Sequence, residues 1–270
     1  MTAVEILCIG RELLSGRTAD RNGPWLALRV TGLGGRVTRI AILDDDPAAI
    51  AGEVRLSLAR APAFLLLAGG LGPTADDRTA AGLAEALGVP LVLDASARRL
   101  VEARYAALAE VGAVADPALT PAREKMAWLP AGAEALQNPV GAAPAIRCHR
   151  PPSTLIALPG VPGEMQACFD AHVAAPLAAR AGSPVLLTRE ARTDCGDESV
   201  LAPLLEAVRL EFPDLYLKSR PESFGPQVRL TVAASGVGRD AETVAARLEA
   251  ALARLRALLK AGAPPPPGGG

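Results

Sequence analysis

The 270-residue sequence is poor in aromatic residues, in lysine and in histidine, and each shortage excludes something. Phe, Trp and Tyr make up 3% of the chain, so its core has to be aliphatic, built from Ala, Leu and Val. Lys125, Lys218 and Lys260 are the only lysines, and 28 basic against 29 acidic residues leave a net charge of −1. That balance argues against a nucleic-acid-coating surface, which needs a clustered basic excess. His149 and His172 are too few for a histidine-rich metal site. Cys8, Cys148, Cys168 and Cys195 share no C-x-x-C spacing, and buried free thiols are expected of them. The most apolar internal run, Phe64 to Ala68, is far below membrane-spanning length, and the opening MTAVEILCIG lacks the basic residues of a signal peptide. A soluble, cytoplasmic protein with no membrane partner is the expectation.

Half of the residues are apolar, and in the first part of the chain they fall into short β-like runs alternating with helical patterns. Such alternation is the mark of a parallel sheet covered by helices. Val4–Ile9, Arg36–Leu43, Phe64–Leu67 and Thr154–Leu158 read as strands. Pro24–Val30 reads as a helix capped by Asn22, and Asp46-Pro47 as an N-cap with proline at the first helical position. Ile50, Val54 and Leu58 form the buried stripe of that second helix. Thr79–Leu87, Ser96–Val111 and Gly163–Ala174 are also helical in pattern, whereas residues 112–152 show no readable period. After Gly182-Ser183-Pro184 the order becomes strand, helix, strand, strand, helix over Val185–Thr193, Glu198–Phe212, Leu215–Ser219, Val228–Ala234 and Asp240–Leu259. The expected organisation is a ligand-binding α/β domain over 1–180, a small α+β domain over 181–260 and a disordered Pro/Gly tail over 261–270.

Three of the strands run into loops of unusual composition, and ligands of an open α/β sheet sit at such strand ends. The first loop is Gly10-Arg11-Glu12-Leu13-Leu14-Ser15-Gly16, followed by Asp20 and Asn22. The second is Gly69-Gly70-Leu71-Gly72-Pro73-Thr74, followed by Asp76, Asp77 and Thr79. The third runs from Leu158 through Pro159, Gly160 and Pro162 to Glu164. Glycines let backbone N–H groups approach phosphate oxygens. The second loop lacks both the P-loop order and the G-x-G-x-x-G spacing, so neither of those nucleotide folds is indicated. Asp76-Asp77 leaves two readings open: carboxylates that hold a cation or act as a base, or helix-start charges that complement the dipole. Asp44-Asp45-Asp46 ends another strand and could face the same crevice, although Asp46 already serves as a cap.

These phrases, together with Asn138-Pro139-Val140-Gly141 and Ala143-Pro144, resemble the CinA competence/damage-inducible family in order and spacing over residues 4–175. The resemblance implies a three-layer α/β/α domain of the MoaB/MogA kind with a mostly parallel sheet, followed by a small KH-like α+β domain. It implies a phosphate-bearing nucleotide or pterin as ligand, held by Gly10, Glu12, Asp20 and Asn22 of the first loop. Gly69, Gly70, Gly72, Thr74 and Thr79 would contribute from the second, Asn138 and Gly141 from the intervening phrase, and Pro159, Gly160, Pro162 and Glu164 from the third. Asp77 falls on the functional aspartate of the glycine motif, and Asp45 falls near a second acidic position. Full CinA proteins resemble a metal-dependent ADP-ribose pyrophosphatase in this domain, and they add a nicotinamide mononucleotide deamidase domain that is expected to be absent here.

The leading expectation is therefore hydrolysis of ADP-ribose or a related diphosphate. Asp77 and Asp76 would be catalytic, and Asp77 with Asp45 would hold Mg, Mn or Co. Molybdopterin binding or adenylylation by the same loops is the second reading, and a non-catalytic nucleotide-binding or interaction protein the third. Homo-oligomer formation is a further expectation. In the small domain, Gly236-Val237-Gly238-Arg239 is not the G-x-x-G clamp of an RNA-binding module, so nucleic acid is not expected as a partner. Four positions depart from the family phrases: Arg11, Ala142 and Ala145 stand where the family has Thr, Thr and Gly, and Ala68 replaces a Thr.

Overall fold

The computed structural model describes residues 2–182, 185–221, 229–238 and 240–261. They belong to two compact units, Met1–Ala181 and Gly182–Gly270. The first unit opens with β1 (Thr2–Ile9), a single turn α1 (Arg11–Leu14), α2 (Asn22–Gly32), β2 (Gly35–Leu43) and α3 (Pro47–Arg60). It continues with β3 (Phe64–Ala68), α4 (Thr79–Leu87), β4 (Leu91–Leu93), α5 (Ala95–Glu110), α6 (Pro121–Lys125), β5 (Trp128–Pro130) and β6 (Glu134–Leu136). β7 (Ala145–Arg150), β8 (Ser153–Leu158), α7 (Pro162–His172) and α8 (Ala174–Ala181) complete it.

Six strands form one sheet in the order β2-β1-β3-β8-β7-β6. The pairings β2–β1, β1–β3 and β3–β8 are parallel, and β8–β7 and β7–β6 are antiparallel. The sheet is thus mostly parallel, as the sequence pattern indicates. Side chains alternate across it because strand residues point to opposite faces in turn. Leu7, Leu65, Leu67, Leu155 and Ala157 enter one core with Ile50, Val54 and Leu83 from α3 and α4. Ile6, Cys8, Leu66, Ile156 and Leu158 enter the other with Leu26 of α2 and Met165 and Phe169 of α7. Helices therefore cover both faces, which gives the three α/β/α layers. The inner parallel strands β1, β3 and β8 are covered on both sides and mostly apolar, whereas the edge strand β2 is largely exposed, and the carboxyl ends of all four lie on one edge.

Two local readings are corrected. α2 begins at Asn22 itself, and the side chain that caps it is Asp20, whose Oδ1 accepts from the amides of Asn22 (2.9 Å) and Gly23 (3.0 Å). Both residue types cap well, and only the chain direction selects Asp20. Asp46 caps α3 as expected, accepting from the Ala49 amide. The unreadable stretch 112–152 holds α6 and the three-residue strands β5 and β6, elements too short to show a period, and also the six-residue β7, which the sequence reading missed.

In the second unit, β9 (Val185–Arg192), β10 (Leu215–Pro221) and β11 (Leu230–Gly238) form an antiparallel sheet in the order β10-β11-β9. α9 (Glu198–Glu211) and α10 (Ala241–Ala261) close a separate core containing Leu201, Val208, Leu217, Val232, Leu248 and Leu252. Gly236 and Gly238 lie within β11, so they form no loop; Arg239 lies outside the described residues, and so does the Pro/Gly run from 262 onward. No described helix is long and apolar enough to cross a membrane.

Candidate functional site

The carboxyl ends of β1, β3 and β8 frame a crevice of about 570 Å³. All three glycine-rich loops reach it, through Gly10 and Glu12, through Gly69, Gly70 and Gly72, and through Pro159, Gly160, Pro162 and Glu164. Asp20, Asn22, Asp45, Asp76 and Asp77 also line it. The loops are locked to one another. The Asn22 side-chain amide donates to the Gly160 carbonyl at 2.8 Å, and Gly10 N donates to Leu43 O at 3.0 Å. At Gly69 the backbone has φ +114°, and a Cβ there would lie 2.3 Å from the Ile9 carbonyl oxygen. Gly70 has φ +68°, and its Cβ would lie 2.3 Å from the Thr79 hydroxyl. Both positions therefore require glycine for conformation and for space.

Several polar groups on this edge have no partner among the described residues. The amides of Gly70, Gly72, Gly160 and Val161, all lining the crevice, donate to no carbonyl or side-chain oxygen. Asn22 Oδ1 is buried and accepts no hydrogen bond. Glu12, Asp20, Asp45, Asp76, Asp77 and Glu164 supply six carboxylates to the wall, and Arg21 the one cationic side chain. A free anion would meet net repulsion from such side chains, whereas N–H donors would be attracted.

Not every expected contact faces the crevice. Thr79 is fully buried and serves as a brace: its hydroxyl donates to Gly69 O at 2.7 Å and its amide to Gly70 O at 3.0 Å. Thr74 is absent from the wall because its amide and hydroxyl are turned to the carboxylate of Asp77, at 2.9 and 2.6 Å. The same hydroxyl also contacts Asp76, and this hydrogen bond holds the Asp76 carboxyl below its ordinary pKa. Asn138 and Gly141 act one step back. Asn138 Oδ1 accepts from the amides of Val140 and Gly141, while Nδ2 donates to Ala143 O and, at 2.8 Å, to Glu164 Oε2. A Cβ on Gly141 would overlap that carboxylate, so the Asn138–Gly141 turn is the seat of Glu164.

The expected metal ligands Asp77 and Asp45 line the same crevice without forming a three-ligand group. Among the described residues no three His, Cys, Asp or Glu side chains are grouped to hold an ion. Asp77 and Asp76 are committed to Thr74, and Asp45 Oδ2 accepts from the Arg11 amide at 3.2 Å. A divalent ion at Asp77 and Asp45 would have to take its remaining ligands from substrate oxygens and water. The Arg11 guanidinium pairs with Asp44, Nη2 to Oδ1 at 2.9 Å, and does not line the crevice. Ala68 and Ala142 do line it, so two of the departures from the family phrases remove hydroxyls from the wall.

Sequence reasoning missed Tyr105 and Met126, which line the crevice, and Lys125, which touches its glycine loop. Tyr105 lies on a readable helix without a motif, and the other two fall in the stretch without period. Of the thiols, Cys8, Cys148 and Cys168 are buried and free as expected, while Cys195 is free but half-buried, in the second unit.

Fold and crevice together define an α/β/α domain with an open crevice at the carboxyl edge of its sheet. A family model described as "Probable molybdopterin binding domain" matches residues 5–179, and the chain belongs to that family. Among its relatives, Protein TK1472 of Thermococcus kodakarensis is 40% identical over 240 residues, covering 89% of this chain and 94% of that one. Protein PH0439 of Pyrococcus horikoshii is 36% identical over 232 residues, covering 86% and 89%. Among solved structures, CinA of Thermoplasma acidophilum, described as of unknown function, matches with a TM-score of 0.56 at 34% identity. That match covers 63% of this chain and 95% of the other.

Proposed function

We propose that the crevice binds a phosphate-bearing pterin of the molybdopterin class. The carrying observation is that unpaired amide donors and a buried unpaired acceptor, Asn22 Oδ1, line the same cavity. The free amides of Gly70, Gly72, Gly160 and Val161 suit phosphate oxygens. Asn22 Oδ1 and the Glu12 carboxylate suit the adjacent ring and exocyclic N–H groups of an aminopyrimidinone edge. A ligand carrying both kinds of group satisfies a wall that a bare phosphate would not. Membership in a family described as molybdopterin-binding supports the same reading.

Diphosphate hydrolysis of the ADP-ribose pyrophosphatase type needs a divalent ion, and among the described residues no three His, Cys, Asp or Glu side chains are grouped to hold one. We derive no catalytic step through a metal. Adenylylation of a bound pterin would use the same amides for the nucleotide phosphates, and it stands as the enzymatic extension of this reading. The test is calorimetric titration with molybdopterin, AMP and ADP-ribose, alongside an assay for AMP release with Mg²⁺, Mn²⁺ or Co²⁺. Molybdopterin is expected to bind and ADP-ribose to remain intact. Metal-dependent release of AMP that stops on chelation would replace the pterin reading with the hydrolase one. Failure of all three probes to bind would remove the crevice as a site for this ligand class.

A further inference from the structure

The glycine loop is fastened from outside by one side chain. Lys125 closes α6, and its Nζ lies 3.2 Å from the Gly72 carbonyl oxygen and 2.5 Å from that of Asp77. These two carbonyls bracket the turn 73–76, so one ammonium reaches across 53 and 48 residues of sequence to fix both ends of it. The side chain is half-buried. Burial lowers its pKa from the ordinary lysine value, against the pull of the Asp77 and Asp76 carboxylates; Arg78 adds to the lowering. A lysine that merely covered apolar surface would extend its charged head to water. This one turns inward and spends two of its three donors on backbone oxygens of residues that line the crevice.

We propose that Lys125 is a positioning residue of the ligand site. It draws the Gly72 and Asp77 carbonyls toward α6, which leaves the glycine loop presenting donors to the crevice. Without the ammonium, those carbonyls are free to rotate toward the ligand, where their oxygens repel a phosphate. The Asp77–Thr74 contacts hold the turn to itself, and the Thr79 brace holds its Gly69-Gly70 end. Lys125 alone among these contacts ties the turn to a separate helix. This inference rests on the crevice being a ligand site, and its test has a readout independent of the ligand.

The test compares wild type, Lys125→Met, Lys125→Ala and the helix neighbour Glu124→Gln by hydrogen exchange over residues 69–79 and by molybdopterin titration. Loss of two charge-assisted bonds is expected to raise exchange of the loop amides about tenfold and to weaken molybdopterin about tenfold in Lys125→Met. Glu124→Gln should match wild type in both. Ethylammonium is expected to restore affinity and slow exchange in Lys125→Ala, which a purely structural role would not allow. Unchanged exchange in Lys125→Met overturns the proposal, and so does raised exchange with wild-type affinity. If wild type binds no molybdopterin while exchange rises in the variant, the ligand reading fails and the loop clamp stands. Should Lys125→Met fail to fold, Lys125→Gln with the same ethylammonium series decides the point.

Discussion

The two edges of the six-stranded sheet handle polar groups in opposite ways. At the amino edge Glu5 is only 2% exposed, yet both of its oxygens are occupied, by Arg60 Nε at 2.7 Å and Nη2 at 2.8 Å. Arg60 also donates to Glu53 and Ser57, each at 3.0 Å, and Glu53 takes Arg39 as a second partner at 3.0 Å. At the carboxyl edge four amides and one buried amide oxygen have no partner among the described residues. An unpaired buried polar group costs on the order of 1–3 kcal/mol, and at this edge that cost falls on Asn22 Oδ1, whereas Gly160 and Val161 are exposed. One edge pairs its buried polar groups internally, and the other leaves amide donors and one buried acceptor facing a crevice.

The sharpest way to break that contrast is Gly69→Ala. The added Cβ meets the Ile9 carbonyl at 2.3 Å in a backbone of φ +114°, so the loop has to move. A loss of about 3 kcal/mol in denaturant unfolding is expected. Molybdopterin affinity should fall by about a hundredfold or more with the dislodged loop. Normal affinity in that variant would show that the loop's position does not matter to binding.

Next in size is Arg60→Leu, which strands a buried carboxylate at the amino edge. Because Arg60 is partly exposed, the expected loss is about 2–3 kcal/mol, below that of a fully buried pair, with affinity untouched. Glu5→Leu with Arg60→Leu should recover most of it. Burial alone would raise the Glu5 pKa, but Arg60 and Ser57 outweigh it and the native value lies below the ordinary 4.5. The stability contributed by ionised Glu5 is therefore full above the unfolded-state pKa and lost as pH falls through the lower native one. An acid titration should show the advantage of wild type over Glu5→Gln shrinking across that interval. An advantage that grows toward low pH would contradict the assigned direction.

Smaller effects sharpen the comparison. Asn22→Ala removes a bond to Gly160 and a buried orphan oxygen together, two terms of about 1 kcal/mol and opposite sign, so stability should barely change. Affinity is expected to drop about tenfold, the worth of one bond of the ligand to that oxygen. A stability loss with unchanged affinity would make Asn22 a scaffold residue. The smallest effect belongs to the amino edge, where Ala61 ends α3 in the left-handed region at φ 53°. Ala61→Gly should raise stability by about 0.5–1 kcal/mol without touching the ligand.

Much of this was legible in the sequence because the signals were local. Asp46-Pro47 marked a helix start, Thr79–Leu87 showed a helical period from end to end, and Phe64–Leu67 ran straight into its glycines. What escaped depended on long-range contacts. Nothing near Lys125 in sequence points to Gly72, and nothing in a Thr distinguishes an outward hydroxyl from Thr79, turned back to brace Gly69. The acidic pair was visible, but its commitment to Thr74 is a matter of side-chain direction, which residue types do not encode.

Cys8, Cys148 and Cys168 lie inside the first unit, and burial pushes their thiols up to about 12, 11 and 12. At neutral pH such groups are almost wholly protonated and shielded, and only the thiolate attacks an alkylating reagent. The half-buried Cys195 belongs to the second unit. Native protein should thus take up at most a single equivalent of iodoacetamide quickly, and the next three only as fast as the α/β/α layers open. Mass spectrometry of the labelled chain would then time the opening of one unit separately from the other, with no added probe.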